Sequence, residues 1–480
     1  MEPRHNAYPL EIAAETTGNF VDNYFTTIDL GHESRNACFR RVATQISRHP
    51  GGTLPDKLGS PASYHAMDRL MNRPETTHRR IMQPHYAKTM AKMQACDSRV
   101  VLILHDTTVL DYSGLQAAKL AAVGNGHGCG YLCHNSLAVD PQRREVLGLV
   151  SQILHQRVSC GRKEGVAKKR ARSSRESRLW SRAVEELPAP QPGKPCIDVA
   201  DRGADLFEFL YHEHRLGRQC VVRSTHNRRV CLGHDGKGKR VLLHDHLRKL
   251  PAVGKAETKN IRDPKTKEER TATLRVSCLA VEILPPHVRK GDYEKMPLPA
   301  WAVRVWEETP PESGTPVEWI LVCLCPVETA GDAWQACDWY SCRWMIEEYH
   351  KATKSGCQVE DLQFHSRQAL EPMIGLLSVV AVLLLNLREA ARRPDASTRP
   401  ATAVVEPIYE EVIRAWRYPK QAHVPLSIQD FYLAVARLGG HMNRKRDGLP
   451  GWLTLWRGWQ KLEIMVEGVK INHRRQRKIV

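Results

Sequence analysis

Residues 99–106 read RVVLILHD, a continuous aliphatic run that ends in a polar pair. Such a run is typical of a strand buried on both faces of a sheet. Two further segments, 130–140 (GYLCHNSLAVD) and 145–155 (EVLGLVSQILH), have the same character and predict two more strands. The sequence therefore predicts a three-stranded antiparallel meander at the centre of an α/β fold.

The chain after this meander continues the α/β pattern. Residues 194–213 (KPCIDVADRGADLFEFLYHE) predict a strand, a turn and a helix, and 219–231 (QCVVRSTHNRRVC) predict one more strand. Residues from about 228 to 318 combine many Lys, Arg, Pro and Gly with short β-prone pieces, which indicates a β-rich insertion. Residues 317–327 (VEWILVCLCPV) again have the composition of a core strand.

Both ends of the chain are predicted to be helical. In 36–49 (NACFRRVATQISRH) the apolar residues recur at helical spacing, and 49–61 (HPGGTLPDKLGSP) then predicts a break before a second helix in 63–74. The tail from about 405 to 480 is helical as well. The apolar run Met373–Leu385 is too short to span a bilayer and predicts a buried helix, with no membrane contact.

Composition limits the classes of function. The chain has 480 residues, enough for two to four domains, and its formal net charge is 71 − 53 = +18. A chain this basic usually binds a polyanion, most often nucleic acid. The N-terminus has no apolar signal region, so the 14 cysteines are expected to be reduced thiols in the cytoplasm.

Two aspartates are expected where strands end. Asp106 closes RVVLILHD and Asp201 closes CIDVAD, and carboxylates at strand ends commonly belong to functional sites. A helix cap or a side-chain turn is the other interpretation of each aspartate taken alone.

A third carboxylate comes from Tyr340–Gly356 (YSCRWMIEEYHKATKSG). On an ideal helix of about 100° per residue, Glu347 shares one face with a tyrosine and three cations, whereas Glu348 lies off that face. The cations and the tyrosine are Tyr340, Arg343, Lys351 and Lys354. A solvated salt-bridge face is the alternative, but two aspartates and a glutamate together form a donor set for two hard divalent cations.

The order and spacing of these residues resemble the insertion-sequence-four family of bacterial DDE transposases, of the Tn-five type. The signature Tyr-x2-Arg-x3-Glu-x6-Lys is present, HDTTVLDYSG resembles the block of the first catalytic aspartate, and ADRGAD resembles the second block with Gly203 in place of the usual glutamate. VVRSTH resembles a DNA-contacting strand, and TPVEWILV a base pocket. Segments resembling end-binding and dimerisation helices lie at the two ends.

The resemblance implies an RNase H-like catalytic core at 76–390 that carries the insertion at about 228–318. A helical DNA-end-binding domain at 1–75 and a helical dimerisation domain at 391–480 flank it. It also implies the role of each site residue. Asp106, Asp201 and Glu347 are the catalytic metal ligands for two Mg²⁺ ions, which Mn²⁺ can replace, and the DNA-binding residues are Tyr340, Arg343, Lys351, Lys354, Trp319, Arg223, Arg35, Arg40, Arg41 and Arg48.

The expected function is cut-and-paste transposition. A homodimer in a synaptic complex would bind the inverted-repeat ends of double-stranded DNA, cleave them through a hairpin intermediate and join the 3′-hydroxyl ends to target DNA, in the bacterial cytoplasm at the nucleoid. Two alternatives are an inactive or inhibitory relative that still binds ends, and a metal-dependent nuclease with the same core.

One competing motif points to a metal of another kind. In HGCGYLCH, residues 127–134, Cys129 and Cys133 are flanked by two histidines. The second pair that a zinc finger needs is missing, and Cys133 lies in a predicted strand. Core cysteines and surface histidines are the favoured interpretation.

Overall fold

The computed structural model describes most of the chain and divides it into two compact units. One unit takes the described residues of Met1–Thr89, Tyr112–Leu120 and Glu348–Val480, and the other those of Met90–Asp111 and Ala121–Glu347. The described residues are 21, 24–114, 119–124, 128–158, 172, 174–187, 193–234, 237–263, 269–287, 293–312, 314–392, 395–421, 424–444 and 447–476. The predicted division into three domains stays a prediction.

The unit formed by Met90–Asp111 and Ala121–Glu347 has a mixed α/β fold around a twelve-stranded, mostly antiparallel sheet. The strand order is β2-β3-β1-β5-β6-β12-β11-β10-β7-β8, with β4 paired to β3 and β9 to β10. The strands are β1 Val101–Asp111, β2 Ala122–Val123, β3 Gly128–Asp140, β4 Glu145–His155, β5 Cys196–Ala200, β6 Gln219–Arg223, β7 Arg229–Leu232, β8 Arg240–Leu242, β9 Glu257–Arg262, β10 Glu269–Ile283, β11 Leu298–Glu307 and β12 Glu318–Cys323.

The first part of this sheet confirms the predicted meander. β1 pairs antiparallel with β3, and β3 with β4. On its other side β1 pairs in parallel with β5, which pairs in parallel with β6. Parallel strands are usually covered on both faces, so the aliphatic run of β1 is buried from Val101 to His105.

The predicted β-rich insertion is confirmed as β-rich, and its strands extend the same sheet. β12 pairs antiparallel with β6 on one side and β11 on the other, and β10 and β7 follow. The single strand predicted for 219–231 is wrong, because the segment forms two strands, β6 and β7. The buried Asp205 carboxylate accepts hydrogen bonds from the backbone N–H groups of Thr225 and His226, at 2.6 Å and 3.0 Å, and holds the connection as a loop.

Helices pack on the sheet and connect its strands. The face of the sheet that includes Ala200 and Val222 packs against the helices Phe207–Arg215 and Leu243–Leu247. The described helices in or entering this unit are Leu179–Glu186, Phe207–Arg215, Leu243–Leu247, Ala330–Ser341 and, at its two boundaries with the other unit, His78–Ala95 and Trp344–Lys351.

The unit that contains both ends of the chain is helical where the structure describes it, as predicted for those ends. In Glu33–Arg48 the residues Phe39, Val42, Ala43 and Ile46 are buried, which confirms the predicted apolar face. The predicted break holds a short helix, because Thr53 and Asp56 form a capping box. The helices are Glu33–Arg48, Leu54–Leu58, Pro61–Met71, Arg367–Arg392, Pro407–Arg417, Ile428–Leu438 and Trp452–Gln476.

The apolar helix is longer than the thirteen residues predicted. It runs over 26 residues, Arg367–Arg392, and its window Arg367–Asn386 is long and apolar enough to cross a membrane. However, 89% of that window is buried inside the protein. The helix is therefore a core helix of this unit, as the sequence predicts.

Candidate active site

Asp106 and Asp201 each come directly after the last paired residues of two neighbouring strands. Those residues are His105 of β1 and Ala200 of β5, so Asp106 is the next residue of β1 and Asp201 is the first residue after β5. Neighbouring strands are about 4.8 Å apart, and residues in register point to the same face of a sheet. The prediction that Asp106 closes its strand is wrong, because β1 continues to Asp111 in its pairing with β3.

The row of aligned residues extends from Asp201 to Arg223. Ala200 pairs with Val222 on β6, so Arg223 is level with Asp201. Arg223 pairs in turn with Leu321 on β12, and Trp319 is two residues along that strand, on the same face. The pairing of four strands therefore collects the two aspartates and two of the predicted DNA-binding residues on one face.

Asp201 also begins a tight turn. Its carboxylate accepts a hydrogen bond from the N–H of Gly203 at 2.7 Å, as the cap of a short 3₁₀ turn. A Cβ atom on residue 203 would lie 2.9 Å from Trp180 Cζ2 and 3.0 Å from Asp201 Oδ1. A side chain at residue 203 would therefore require Trp180 or Asp201 to move, since the Trp180 ring fills that space.

Arg343 connects Glu347 to Asp106. Its Nη2 donates a hydrogen bond to Glu347 Oε1, and its Nη1 lies 3.7 Å from Asp106 Oδ2. The Arg343 side chain is 20% exposed, whereas the Glu347 side chain is 55% exposed. The guanidinium therefore places positive charge between the two carboxylates at the edge of the site.

The charges of Asp201 and Glu347 act on the Asp106 carboxyl. Burial raises the pKa of Asp106 to about 6, and the charges of Asp201 and Glu347 add to the rise. The N–H of Thr107, which donates to Asp106 at 2.7 Å, and the charge of Arg343 oppose it. Negative charge is thus concentrated here beyond what one arginine balances.

The donor chemistry suits a hard divalent cation, although the ligands are not gathered around one point. Carboxylate oxygens are the ligands that Mg²⁺ prefers. Within the described part of the chain, no group of three or more His, Cys, Asp or Glu side chains is arranged to hold a metal ion. The Arg343 guanidinium lies between Glu347 and Asp106 and supplies positive charge next to both carboxylates.

The single helix predicted for Tyr340–Gly356 is wrong. One helix ends at Ser341, a second covers Trp344–Lys351, and a wider π-helical turn covers Ala352–Gly356. Ser341 Oγ donates to the Asp338 carbonyl at 2.7 Å and accepts from Arg144 at 2.9 Å, which favours the end of the first helix there.

The predicted face around Glu347 is consequently different. Lys351 pairs with Glu348 at 3.0 Å, and Lys354 pairs with Glu360 at 3.1 Å. Glu348 also accepts a hydrogen bond from Trp452 Nε1 at 2.9 Å. The two glutamates differ in their partners: Glu347 bonds to Arg343, and Glu348 is part of a structural contact with Lys351 and Trp452.

A cavity of about 540 Å³ opens beside Trp319. The Trp319 ring contacts the ring of Tyr340 edge to face, with centroids 5.1 Å apart. Arg223, Arg144, Lys259 and Trp334 also line the cavity. Sequence reasoning missed the last three, because they come from a hairpin, a strand and a helix that only the fold brings together.

The N-terminal arginines are largely engaged within the protein. Arg35 pairs with Glu75 at 3.1 Å, and Arg40 pairs with Glu33. Arg41 makes a long contact with the Cys38 sulfur, at 3.8 Å. Their predicted contact with DNA, like that of Arg48, stays a prediction.

A buried polar network under the carboxylates was also missed. His105 Nε2 lies 3.0 Å from Asp198 Oδ1, and Arg218 donates to the same carboxylate at 2.7 Å and 3.0 Å. Burial raises the pKa of the adjacent Glu213 well above its usual range, and the charge of Asp198 adds to the rise. The alternation of polar and apolar residues, with His105 facing away from Asp106, was the available signal.

The alternative zinc motif finds no support in the described residues. Cys129 and Cys133 lie in β3, and Cys133 is a core cysteine as predicted. The predicted surface histidine is wrong at His134, which is buried and has its Nδ1 2.8 Å from the hydroxyl of Thr107. His127 lies outside the described residues.

No known protein-family model matches the sequence.

Proposed function

We propose that the chain is a DNA transposase of the DDE type, with an RNase H-like core made by the part of the sheet from β4 to β6. One observation carries the proposal. The parallel pairing of β1 and β5 sets Asp106 beside Asp201, and Arg343 joins Glu347 to them. Three acidic residues from distant parts of the sequence thus share one edge of a basic protein, and divalent cations bound to them would allow a phosphodiester to approach.

Asp106, Asp201 and Glu347 would hold Mg²⁺ or Mn²⁺, two ions in each site. When bound, these ions lower the pKa of an attacking water or 3′-hydroxyl and stabilise the leaving oxygen. The chain's own residues supply a carboxylate ligand and a cation for the phosphate. Asp106 supplies a carboxylate that ionises near pH 6, and Arg343 supplies a guanidinium that can turn from Glu347 to a non-bridging phosphate oxygen.

The Trp319 cavity suits a base taken out of a DNA duplex. A hairpin end requires the strand to bend sharply, and an extruded base needs an aromatic surface to stack on. Trp319 provides that surface, and the buried Tyr340 ring supports it from the side. Arg223 and Arg144 line the same cavity as cations, whereas Lys259 there is paired with Glu257 and Asp338. The cavity lies on the face of the sheet that carries Asp106 and Asp201.

The remaining partners belong to the same proposal. Inverted-repeat ends and target DNA would be bound by the basic chain as double-stranded DNA, with the N-terminal helices reading the ends. Lys351 and Lys354 would have to exchange Glu348 and Glu360 for phosphates. A homodimer would bring two ends together in the bacterial cytoplasm.

The decisive reaction combines the purified full chain, Mg²⁺ or Mn²⁺, and DNA that carries the inverted repeats flanking the gene. We expect hairpin ends to form, and to vanish in Glu347→Ala while binding to the ends is kept. Binding without any cleavage by the wild-type chain would favour the inactive relative, and nicks without hairpins or joining would favour the nuclease.

The role of Trp319 has a separate test. Because its ring would act on the bent strand and not on the first attack by water, Trp319→Ala should slow hairpin formation at least about tenfold more than first nicking. Trp306→Ala is the control. Trp306 lies on the neighbouring strand β11, where its ring stacks with Arg304 of the same strand, and the guanidinium is 4.4 Å from the ring centroid. Equal loss of both steps in Trp319→Ala would refute the pocket.

A further inference from the structure

A second cavity, of about 630 Å³, lies where the loop after β5 meets β7 and β8. It is distinct from the Trp319 cavity, and its size is within the range of about 300–1,000 Å³ that holds small ligands or ligand fragments. One side is apolar, formed by Phe207 and a group of prolines. The apolar side includes Phe207, Pro285 and Pro286. The other side carries the cations Arg229, Arg240 and Lys295.

The cations of this cavity are not neutralised within the described residues. Arg229 is exposed on β7 and Arg240 on β8, and Cys231, two residues from Arg229, pairs with Arg240. The two arginines are therefore diagonal neighbours on one face, where like charges repel. Among the described carboxylates none forms an ion pair with Arg229, Arg240 or Lys295, and this includes Glu282, which pairs with Cys231 on that face.

Among the described residues that line the cavity, the one acid, Asp205, already has partners. Asp205 is buried, pairs with Arg228, and accepts hydrogen bonds from the backbone N–H groups of Thr225 and His226. The Arg228 guanidinium also donates to the Asp205 carbonyl at 2.8 Å, yet its Nε has no partner among the described atoms. Within the described lining, three cations therefore have no acidic partner, a charge distribution that favours an anion as ligand.

We infer that this cavity binds the phosphodiester backbone of a DNA strand next to the reacting phosphate. Asp205 follows Asp201 by four residues, a stretch of chain that spans at most about 14 Å. That distance corresponds to about four nucleotides at 3.4 Å each. Because Asp205 lines the cavity together with Arg229 and Arg240, a strand that passes Asp201 would reach the edge of this cavity within about four nucleotides. The prolines and Phe207 offer an apolar surface to its sugars and bases.

The inference rests on the proposed function for its choice of ligand, but its test needs no catalysis. A fluorescent 30-base-pair duplex is titrated with the full chain in EDTA, at several NaCl concentrations. Each phosphate contact contributes about 0.9 to the slope of log K against log salt. We expect Arg229→Gln/Arg240→Gln to lower that slope by about 2, and to weaken binding by about 30- to 100-fold at 0.1 M salt.

Two further variants separate this site from a general loss of charge. Arg143→Gln/Arg215→Gln removes the same charge from exposed positions that pair with Asp97 and Glu185, and should leave the slope within about 0.5 of the wild type. Arg229→Lys/Arg240→Lys keeps the charge and should restore most of the slope. Thermal melting of each variant checks that it folds.

The outcomes are distinguishable from those of the proposed function. If both glutamine pairs change the slope equally, or neither does, the cavity is not a DNA site. If the slope falls only for Arg229→Gln/Arg240→Gln but the wild-type chain never forms hairpin ends, the cavity stands and the transposase proposal fails. Displacement of the duplex by millimolar inorganic phosphate, with equal slopes in all variants, would show a site for a small anion and overturn the inference.

Discussion

At Asp106, burial and two neighbouring carboxylates act together against ionisation. A pKa of about 6 in the folded chain, against the ordinary 3.8, means that the unfolded chain gives up this proton more readily. Ionisation therefore favours unfolding once the pH rises above 3.8, and the full cost is present above about pH 6. The size of that cost is up to about 3 kcal/mol, and a bound divalent cation would remove it.

Asp106→Asn should consequently be more stable than the wild type at pH 8 without metal, by about 1–3 kcal/mol. The advantage should shrink as the pH falls from 6 to 4, because the wild-type carboxyl then becomes neutral. Urea unfolding at the two pH values measures this. Asp97→Asn, at a carboxylate that is 60% exposed, should show no such gain, and a lower stability of Asp106→Asn at pH 8 would contradict the account.

Gly203 matters because of Trp180. A methyl group at residue 203 would meet the Trp180 ring at 2.9 Å and the Asp201 carboxylate at 3.0 Å, so one of them must move. Gly203→Ala should cost about 1–3 kcal/mol in the free energy of unfolding. Gly468→Ala, in a helix where nothing lies within 4 Å, should be neutral or stabilising by up to about 1 kcal/mol. Equal effects of the two substitutions would refute this role of Trp180.

Among the elements, β1 and β5 are held together beneath the site by buried charge. Asp198 is fully buried on β5, and the charge of Arg218 together with the hydrogen bond from His105 outweighs burial and lowers the pKa of Asp198. Removing one member of a buried ion pair leaves the other charge without compensation, which costs more than the pair itself contributes.

Arg218→Met should therefore destabilise the chain by about 3–5 kcal/mol. Combining it with Asp198→Asn removes both charges and should recover at least about half of that loss, since an amide can still bond to His105. Denaturant midpoints of the two variants and of the Asp198→Asn control give the comparison. A double variant that is as unstable as the sum of the single ones would argue against the pair.

The elements also show what sequence patterns can and cannot predict. The aliphatic runs of β1, β3 and β4 predicted their strands, because burial alone selects those residues. The break between the helices that end at Ser341 and begin at Trp344 was not predictable, since it depends on hydrogen bonds between side chains and carbonyls and on Arg144, a residue about two hundred positions away. Helical geometry drawn through that break misplaced Lys351 and Lys354.

For the whole molecule, the sequence predicted the meander of β1, β3 and β4, the β-rich insertion and the helical ends. It could not predict that the strands of the insertion continue the central sheet, because pairing between β6 and β12 joins residues about a hundred positions apart. It predicted Asp106 and Asp201 as candidates from strand ends, whereas β1 continues past Asp106, and their position after the same pair of strand residues was visible only in the register. It did not predict Arg343 as the link to Glu347, which needs the side-chain positions.

The central claim, that Glu347 completes a phosphoryl-transfer site with the two aspartates, is tested most directly by comparing two adjacent carboxylates. Single-turnover hairpin formation on DNA with the flanking inverted repeats is measured for Glu347→Gln and Glu348→Gln in Mg²⁺. Loss of several kcal/mol of charge stabilisation predicts a fall of about a thousandfold for Glu347→Gln and a change of less than about fivefold for Glu348→Gln. Similar rates for the wild type and Glu347→Gln would contradict the account.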